Sequence, residues 1–345
     1  MIDVLSLPFD QYQRYRLVSD LLNEVRPRGK SFKVLDVGGR TGLLAAFLPA
    51  DRVFMVDTEA SDVAGLVLGS GANLPYQDKS LDVIAAFDTL EHVPPPARAA
   101  FMSECARVAK HYVVLAGPYQ SPEVEEAERI LQQFLKDKLG VEHRYLEEHR
   151  HFGLPAKDDV ERHFQALSAQ VVSIGHGNLE RWLALMCMSL YMDYTPQLSS
   201  IAARFYRFYN QNLYVSDHGQ PVYRHAIVAV FGGAPVPTAA NLLGAPVAPP
   251  GAMARLNELA FELVAFNRVL EAMRREVNEY KADLAGHKDT IASLRADLEG
   301  HRQTVANLTR QREELMRFDT PLSKILKIKL LRALKRGGDG AEGKR

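Results

Sequence analysis

The chain is poor in cysteine. Cys105 and Cys187 are its only two, far apart in sequence, too few for a disulfide framework or a four-cysteine zinc site. It has no excess of either charge, since 42 basic and 42 acidic residues cancel. No global field therefore draws it to nucleic acid or to a membrane, and any such attraction has to come from a local patch. A membrane-length apolar run is also missing, the longest lying near Trp182 to Met192. The opening MIDVLSLPFDQYQRYRLV shows no basic segment followed by an apolar one, so a cytoplasmic, reducing setting is expected. Apolar residues at 47% and charged residues at 24% are the proportions of an ordinary globular protein, which argues against a disordered or collagen-like chain.

What is present alternates between short β-rich runs and helical patterns. Five runs, at 33–37, 53–57, 66–68, 81–87 and 112–116, are each bounded by Gly, Pro or Asp, and two later ones at 170–174 and 225–231 close the series. A helical insertion rich in Leu, Met and Tyr separates those two, at roughly 179–214. The pattern predicts an α/β fold over residues 1–231: a Rossmann-like, seven-stranded, mostly parallel sheet with helices on both faces. A first, amphipathic helix is expected at 9–22.

Residues 232–251 are rich in Pro, Ala and Gly and carry no charge, the composition of a linker. Beyond it, over 252–318, apolar residues alternate in steps of three and four for about nine heptads. Leu263, Leu270, Val277, Leu284, Ile291 and Leu298 take position a; Leu259, Phe266, Met273, Tyr280, Leu294 and Leu308 take position d. This is the pattern of a long C-terminal coiled coil, about 90 Å at 1.5 Å per residue. Polar d positions at His287 and His301 are expected to fix register. In a parallel pair Glu276 meets Lys281, Asp283 meets Lys288 and Asp297 meets Arg302, so a parallel homodimer is expected. Over 319–345 the basic stretch 321–336 has six basic and eight aliphatic residues and no acid, which suits an anionic membrane surface at the inner face. No aromatic residues interleave with its charges, and nucleic acid is not expected as a partner.

The strongest chemical signal is VLDVGGRTGLL at 34–44, where an apolar strand ends in Asp36 and runs through Gly38, Gly39 and Gly42 into a helix start. Such a turn lets main chain approach a ligand and offers unpaired N–H groups to it. The spacing G-G-x-x-G departs from the dinucleotide pattern, which disfavours NAD. Asp57 ends the next strand 21 residues after Asp36, the reach of an acid that accepts from a ribose diol.

Together with NLPYQDKSLDVIAAFDTLEHV, these residues resemble the class I S-adenosylmethionine-dependent methyltransferases (methyltransferase type 11-like), over the first 120 residues. The resemblance implies S-adenosyl-L-methionine as cofactor. It places Asp36, Gly38, Gly39 and Gly42 around the amino-acid end, Asp57 on the ribose, Leu74 against the adenine, and Asp88 to His92 along the cleft, with the 9–22 helix folded over the cofactor and Tyr12, Arg14 and Tyr15 as lid candidates. Arg40 stands where the family usually has a glycine, and Ser70 where it usually has an acid. His92 is a candidate base, as are His149 and His151 of EHRYLEEHRHFGLP at 142–155. The spacings in that segment fit no common zinc site, and no metal is expected. Its EH-x-x-FGLP string also looks like one found in methyltransferases associated with bacterial surface-polysaccharide and glycosyltransferase systems, which implies a glycan hydroxyl as methyl acceptor. Two other readings stay open: a small-molecule or quinone acceptor, and a noncatalytic scaffold that keeps the fold for oligomerisation and tethering.

Overall fold

The computed structural model of the chain describes residues 2–238, 251–317 and 321–338; the greater part of the linker expected at 232–251, and parts of 319–345, lie outside the described residues. The chain divides into two compact units, Met1–Val264 and Ala265–Arg345.

The first unit is built on a seven-stranded sheet in the order β3-β2-β1-β4-β5-β7-β6. Its strands are β1 (Lys33–Val37), β2 (Arg52–Asp57), β3 (Leu66–Leu68), β4 (Leu81–Phe87), β5 (Ala109–Pro118), β6 (Gln170–Asn178) and β7 (Val222–Val230). The first five pair in parallel, and β7 runs antiparallel to both β5 and β6. The Rossmann-like fold expected from the alternating pattern is the one observed. Near-continuous apolar runs such as LDVIAAF in β4 are what a sheet buried on both faces requires. The helices are α1 (Phe9–Val25), α2 (Leu44–Phe47), α3 (Pro95–Val108), α4 (Pro122–Phe134), α5 (Arg144–Phe152), α6 (Lys157–Ala166), α7 (Leu179–Asp193) and α8 (Ser199–Asn212). Leu35, Ile84, Phe101, Val113, Phe164 and Ile227 belong to one core cluster between sheet and helices.

The position of α1 decides where the cleft lies. Arg224, on the apolar strand β7 in register with Pro118 at the end of β5, is 1% exposed. Its guanidinium meets both carboxylate oxygens of Asp88, just past β4, at 3.0 and 2.8 Å, and Asp10 of α1 at 3.0 Å. Arg14 of α1 completes the cluster, 3.0 Å from Asp10 and 3.1 Å from Asp88. Gln13 of α1 donates to Tyr209 of α8 and, at 2.9 Å, to the fully buried Asp217. Two buried ionic and polar networks thus hold α1 against the carboxyl ends of the central strands.

From Ala252 to Met316 the chain is one helix of 65 residues. Leu259 at its start is buried and Glu262 pairs with Arg204 of α8, both within the first unit. In the second unit, Tyr280, Leu284, Leu294, Leu298, Val305 and Leu308 of that helix are each more than half exposed. A second helix, Pro321–Gly338, shares an apolar groove with its end, lined by Leu308, Leu315, Leu330, Leu331 and Leu334. No described helix is long and apolar enough to cross a membrane.

Removing one partner of a buried ion pair strands the other charge, at a cost of about 3–5 kcal/mol. Arg224→Met leaves Asp88 and Asp10 short of a countercharge, so urea unfolding of this variant is expected to show a loss of that order. The surface change Arg129→Met, which removes only an exposed pair with Glu126, is expected to stay within about 1 kcal/mol.

Candidate active site

Two groups of side chains meet at the carboxyl ends of β1, β4 and β5, where open α/β sheets bind ligands. The first surrounds the glycine turn. Gly38 has φ of 85°, a conformation that favours glycine, and its amide donates to Val56 O at 2.8 Å. The hydroxyl of Thr89 approaches Phe87 O at 2.9 Å and Val37 O at 3.2 Å, tying the β1 and β4 corners together. A Cβ at Gly39 would stand 2.4 Å from the Asp36 carboxyl carbon, so glycine there leaves the carboxylate its place. Asp36 is 2% exposed and its Oδ2 has no hydrogen-bond partner. Burial, with the Asp57 carboxylate adding to it and Arg14 opposing, pushes its pKa up to about 7. An acid left so short of partners is a site for a cationic ligand group.

Asp57 lies at the end of β2. Its Oδ1 accepts from the Glu59 amide at 2.9 Å and its Oδ2 from the Arg40 amide at 3.2 Å, which fixes the carboxylate and leaves lone pairs for further donors. The Arg40 guanidinium is taken up by Glu59 and, at 2.7 Å, by the Tyr145 hydroxyl, while Arg144 reaches Glu59 from the other side at 2.8 Å. Tyr15 of α1 places its hydroxyl 3.0 Å from Thr41 Oγ1 in the turn. Tyr12 instead packs edge-on against Phe47 and Tyr214.

The second group stands beside the short turn Leu90–His92 that follows β4. His92 and His149 of α5 lie ring to ring at 4.8 Å, with their Nε2 atoms 3.4 Å apart. His149 Nδ1 is 2.9 Å from Glu128 of α4, and Tyr223 of β7 donates to the same carboxylate oxygen at 2.8 Å. His92 Nδ1 approaches Glu148 at 2.8 Å, an ion-pair contact rather than a directed hydrogen bond. Burial opposes charge on His149, yet the Glu128 carboxylate and the acids around it raise its pKa; burial and the neighbouring His149 lower that of His92. Glu91 is 1% exposed with Oε1 unpartnered, and burial, aided by Asp88, pushes its pKa up to about 8. Glu91, His92 and His149 bring a carboxylate oxygen and two imidazole nitrogens within 4.8 Å of one another.

The structure thus gathers Asp36, Gly38, Gly39, Asp57 and Asp88 at the strand ends with His92 and His149, and it separates other sequence candidates from them. His151 is exposed, because two residues along a helix turn a side chain to the opposite face from His149. Leu74 is 3% exposed in the core cluster with Val56 and Phe101, its amide donating to Glu104. Asp88, with φ of 42°, is bound to two arginines instead of standing free. Sequence reasoning passed over Glu128, Tyr223, Asp10 and Arg224. Only Arg224 left a signal, a charge inside the apolar run VYRHAIVAV, where an arginine needs buried partners.

The raised pKa of Asp36 has a sign that can be measured. Between the ordinary value of 3.8 and about 7 the folded chain holds a proton on Asp36 that the unfolded chain has released, so stability falls as pH rises through that window. Asp36→Asn is expected to flatten this fall by an amount on the order of a few kcal/mol, read from urea midpoints of both chains at the two ends of the window.

Residues 35–116 match the family model described as a methyltransferase domain. An uncharacterized methyltransferase of Mycobacterium sp. (strain KMS) is 34% identical over 124 residues, which are 30% of this chain and 48% of that protein. One from Mycobacterium sp. (strain JLS) is 33% identical over 129 residues, 31% of this chain and 50% of that one. The chain spans about half the length of the curated relatives it matches. Among solved structures, YcgJ from Bacillus subtilis is similar with 16% identity and a TM-score of 0.39, over 63% of this chain and 97% of that one. Magnesium protoporphyrin IX methyltransferase (ChlM) from Synechocystis PCC 6803, with bound SAH, is similar with 13% identity and a TM-score of 0.38, over 65% and 88%. The stretch that carries β1 to β4, the glycine turn and the Asp88–His92 corner is the one that matches the methyltransferase-domain model.

Proposed function

We propose that the chain transfers a methyl group from S-adenosylmethionine to a hydroxyl of a bacterial surface glycan. The observation that carries the cofactor half is the buried Asp36 carboxylate, with one oxygen unpartnered beside a glycine turn. This suits the ammonium of the cofactor's amino-acid end, and Asp57, fixed by two main-chain amides, suits its ribose diol. The cofactor supplies a methyl group already activated on a sulfonium. The chain then has to align an acceptor, exclude water and deal with the acceptor's proton. Arg14 and Tyr15 of α1 cover the cofactor end, and the His92–His149 pair activates the acceptor hydroxyl. The acceptor class rests on EH-x-x-FGLP, whose His149 stands in that pair.

Calorimetry on the full chain with S-adenosylmethionine is expected to show one binding site, weakened in Asp36→Asn. No heat of binding at millimolar cofactor would leave the noncatalytic scaffold. With a glycan acceptor, His92→Ala and His149→Ala are each expected to lower kcat by about 10²–10⁴ while cofactor affinity holds.

The exposed a and d side chains of the long helix favour a parallel homodimer of this enzyme, because a stripe of that length needs a partner to cover it. In the stretch 321–336, Leu322, Ile325, Leu326 and Ile328 are exposed among lysines, which supports contact with an anionic membrane surface. Sedimentation equilibrium of the full chain at micromolar concentration is expected to give twice the chain mass of 38.5 kDa; a single-chain mass overturns the pairing.

A further inference from the structure

The geometry points to a binding site for one divalent transition-metal cation, of the Zn²⁺ or Mn²⁺ class, between Glu91, His92 and His149. Three separate observations support it. The first is the placement of lone pairs. His149 presents Nδ1 to the Glu128 carboxylate at 2.9 Å and His92 presents Nδ1 to Glu148 at 2.8 Å. The two Nε2 atoms face each other at 3.4 Å, where a single proton is shared between them and a metal ion can take its place. Two imidazole nitrogens aimed at one point need a positive charge between them, a proton or a cation. The Glu128 carboxylate hydrogen-bonded behind His149 is also the usual support for a histidine that binds metal.

The second observation is Glu91. It is 1% exposed and has an oxygen with no partner, which is costly for a buried acid unless a cation joins it. The third is convergence. The three ligand atoms lie within 4.8 Å of one another, and two ligands each about 2.1 Å from one ion stand at most about 4.2 Å apart. A closure of a fraction of an ångström is enough. Two imidazoles and one carboxylate suit a first-row transition cation better than Mg²⁺ or Ca²⁺, which prefer oxygen throughout. Three protein ligands leave coordination positions open, the pattern of catalytic rather than structural sites.

The inference deepens the proposed function, on which it rests only for the acceptor. A hydroxyl whose oxygen joins the ion loses its proton to water more readily. The oxygen lone pair then takes the methyl carbon as the carbon–sulfur bond breaks, and the sulfur keeps that electron pair as a neutral thioether. Metal-free methyl transfer by the histidine pair is the competing account.

The test is calorimetric titration of Zn²⁺ and of Mn²⁺ into the full chain after dialysis against chelator, without cofactor. One saturable site per chain is expected, with a raised Tm on saturation. His92→Gln and His149→Gln are expected to lower affinity at least 100-fold, and Glu128→Gln, which removes no ligand, about 10–100-fold. His151→Ala, on the exposed face of the same helix, keeps full affinity. Circular dichroism confirms that each variant folds. Absence of a saturable site, or affinity unchanged in His92→Gln and His149→Gln, overturns the proposal. Cofactor binding is measured separately, so metal binding without it would sink the methyl-transfer reading and leave this site standing, and the reverse result would do the opposite.

Discussion

The burial of one positive charge organises the cleft. Arg224 sits on a strand with sheet on both sides, and a guanidinium there survives only with its charge and its donors satisfied. Asp88 and Asp10 satisfy it, one from the end of β4 and one from α1. The need to neutralise Arg224 therefore draws the N-terminal helix over the strand ends. It also holds Asp88 in a left-handed backbone conformation that a non-glycine residue seldom adopts. The corner carrying Glu91 and His92 begins two residues later, so its direction is set by the same ion cluster.

Against that neutralised cluster, the two uncompensated acids stand out. Asp36 and Glu91 are more deeply buried than Asp88, yet each keeps an oxygen without a hydrogen-bond partner. The fold supplies countercharge where it stabilises architecture and withholds it at two points along one cleft. This contrast is what separates structural from ligand-directed burial here, and residue type alone does not reveal it.

Strand positions were legible because β-branched runs in a doubly covered sheet have little ambiguity: β1, β3 and β4 begin and end where the pattern places them. The helix at 252–316 was legible from its heptads for the same kind of reason. The glycine turn and Asp36 were legible because local backbone geometry demands those residues. The burial of Leu74 was not legible, since an apolar residue beside a cleft and one inside a core look the same in sequence. His149 and His151 were indistinguishable until the helix phase of α5 was known. The Glu91–His92–His149 grouping joins segments 57 residues apart, a convergence created by topology with no spacing to betray it.

Trp182 is the one tryptophan in the chain. Its indole stacks on Tyr223 at 3.4 Å with 9° between the planes, and its Nε1 lies 3.4 Å from Asp10. Tyr223 in turn holds Glu128, which supports His149. The sole indole is thus wired to both the ion cluster beneath α1 and the imidazole pair. Its fluorescence is a built-in optical reporter, able to register events at either end of the cleft without any label being attached.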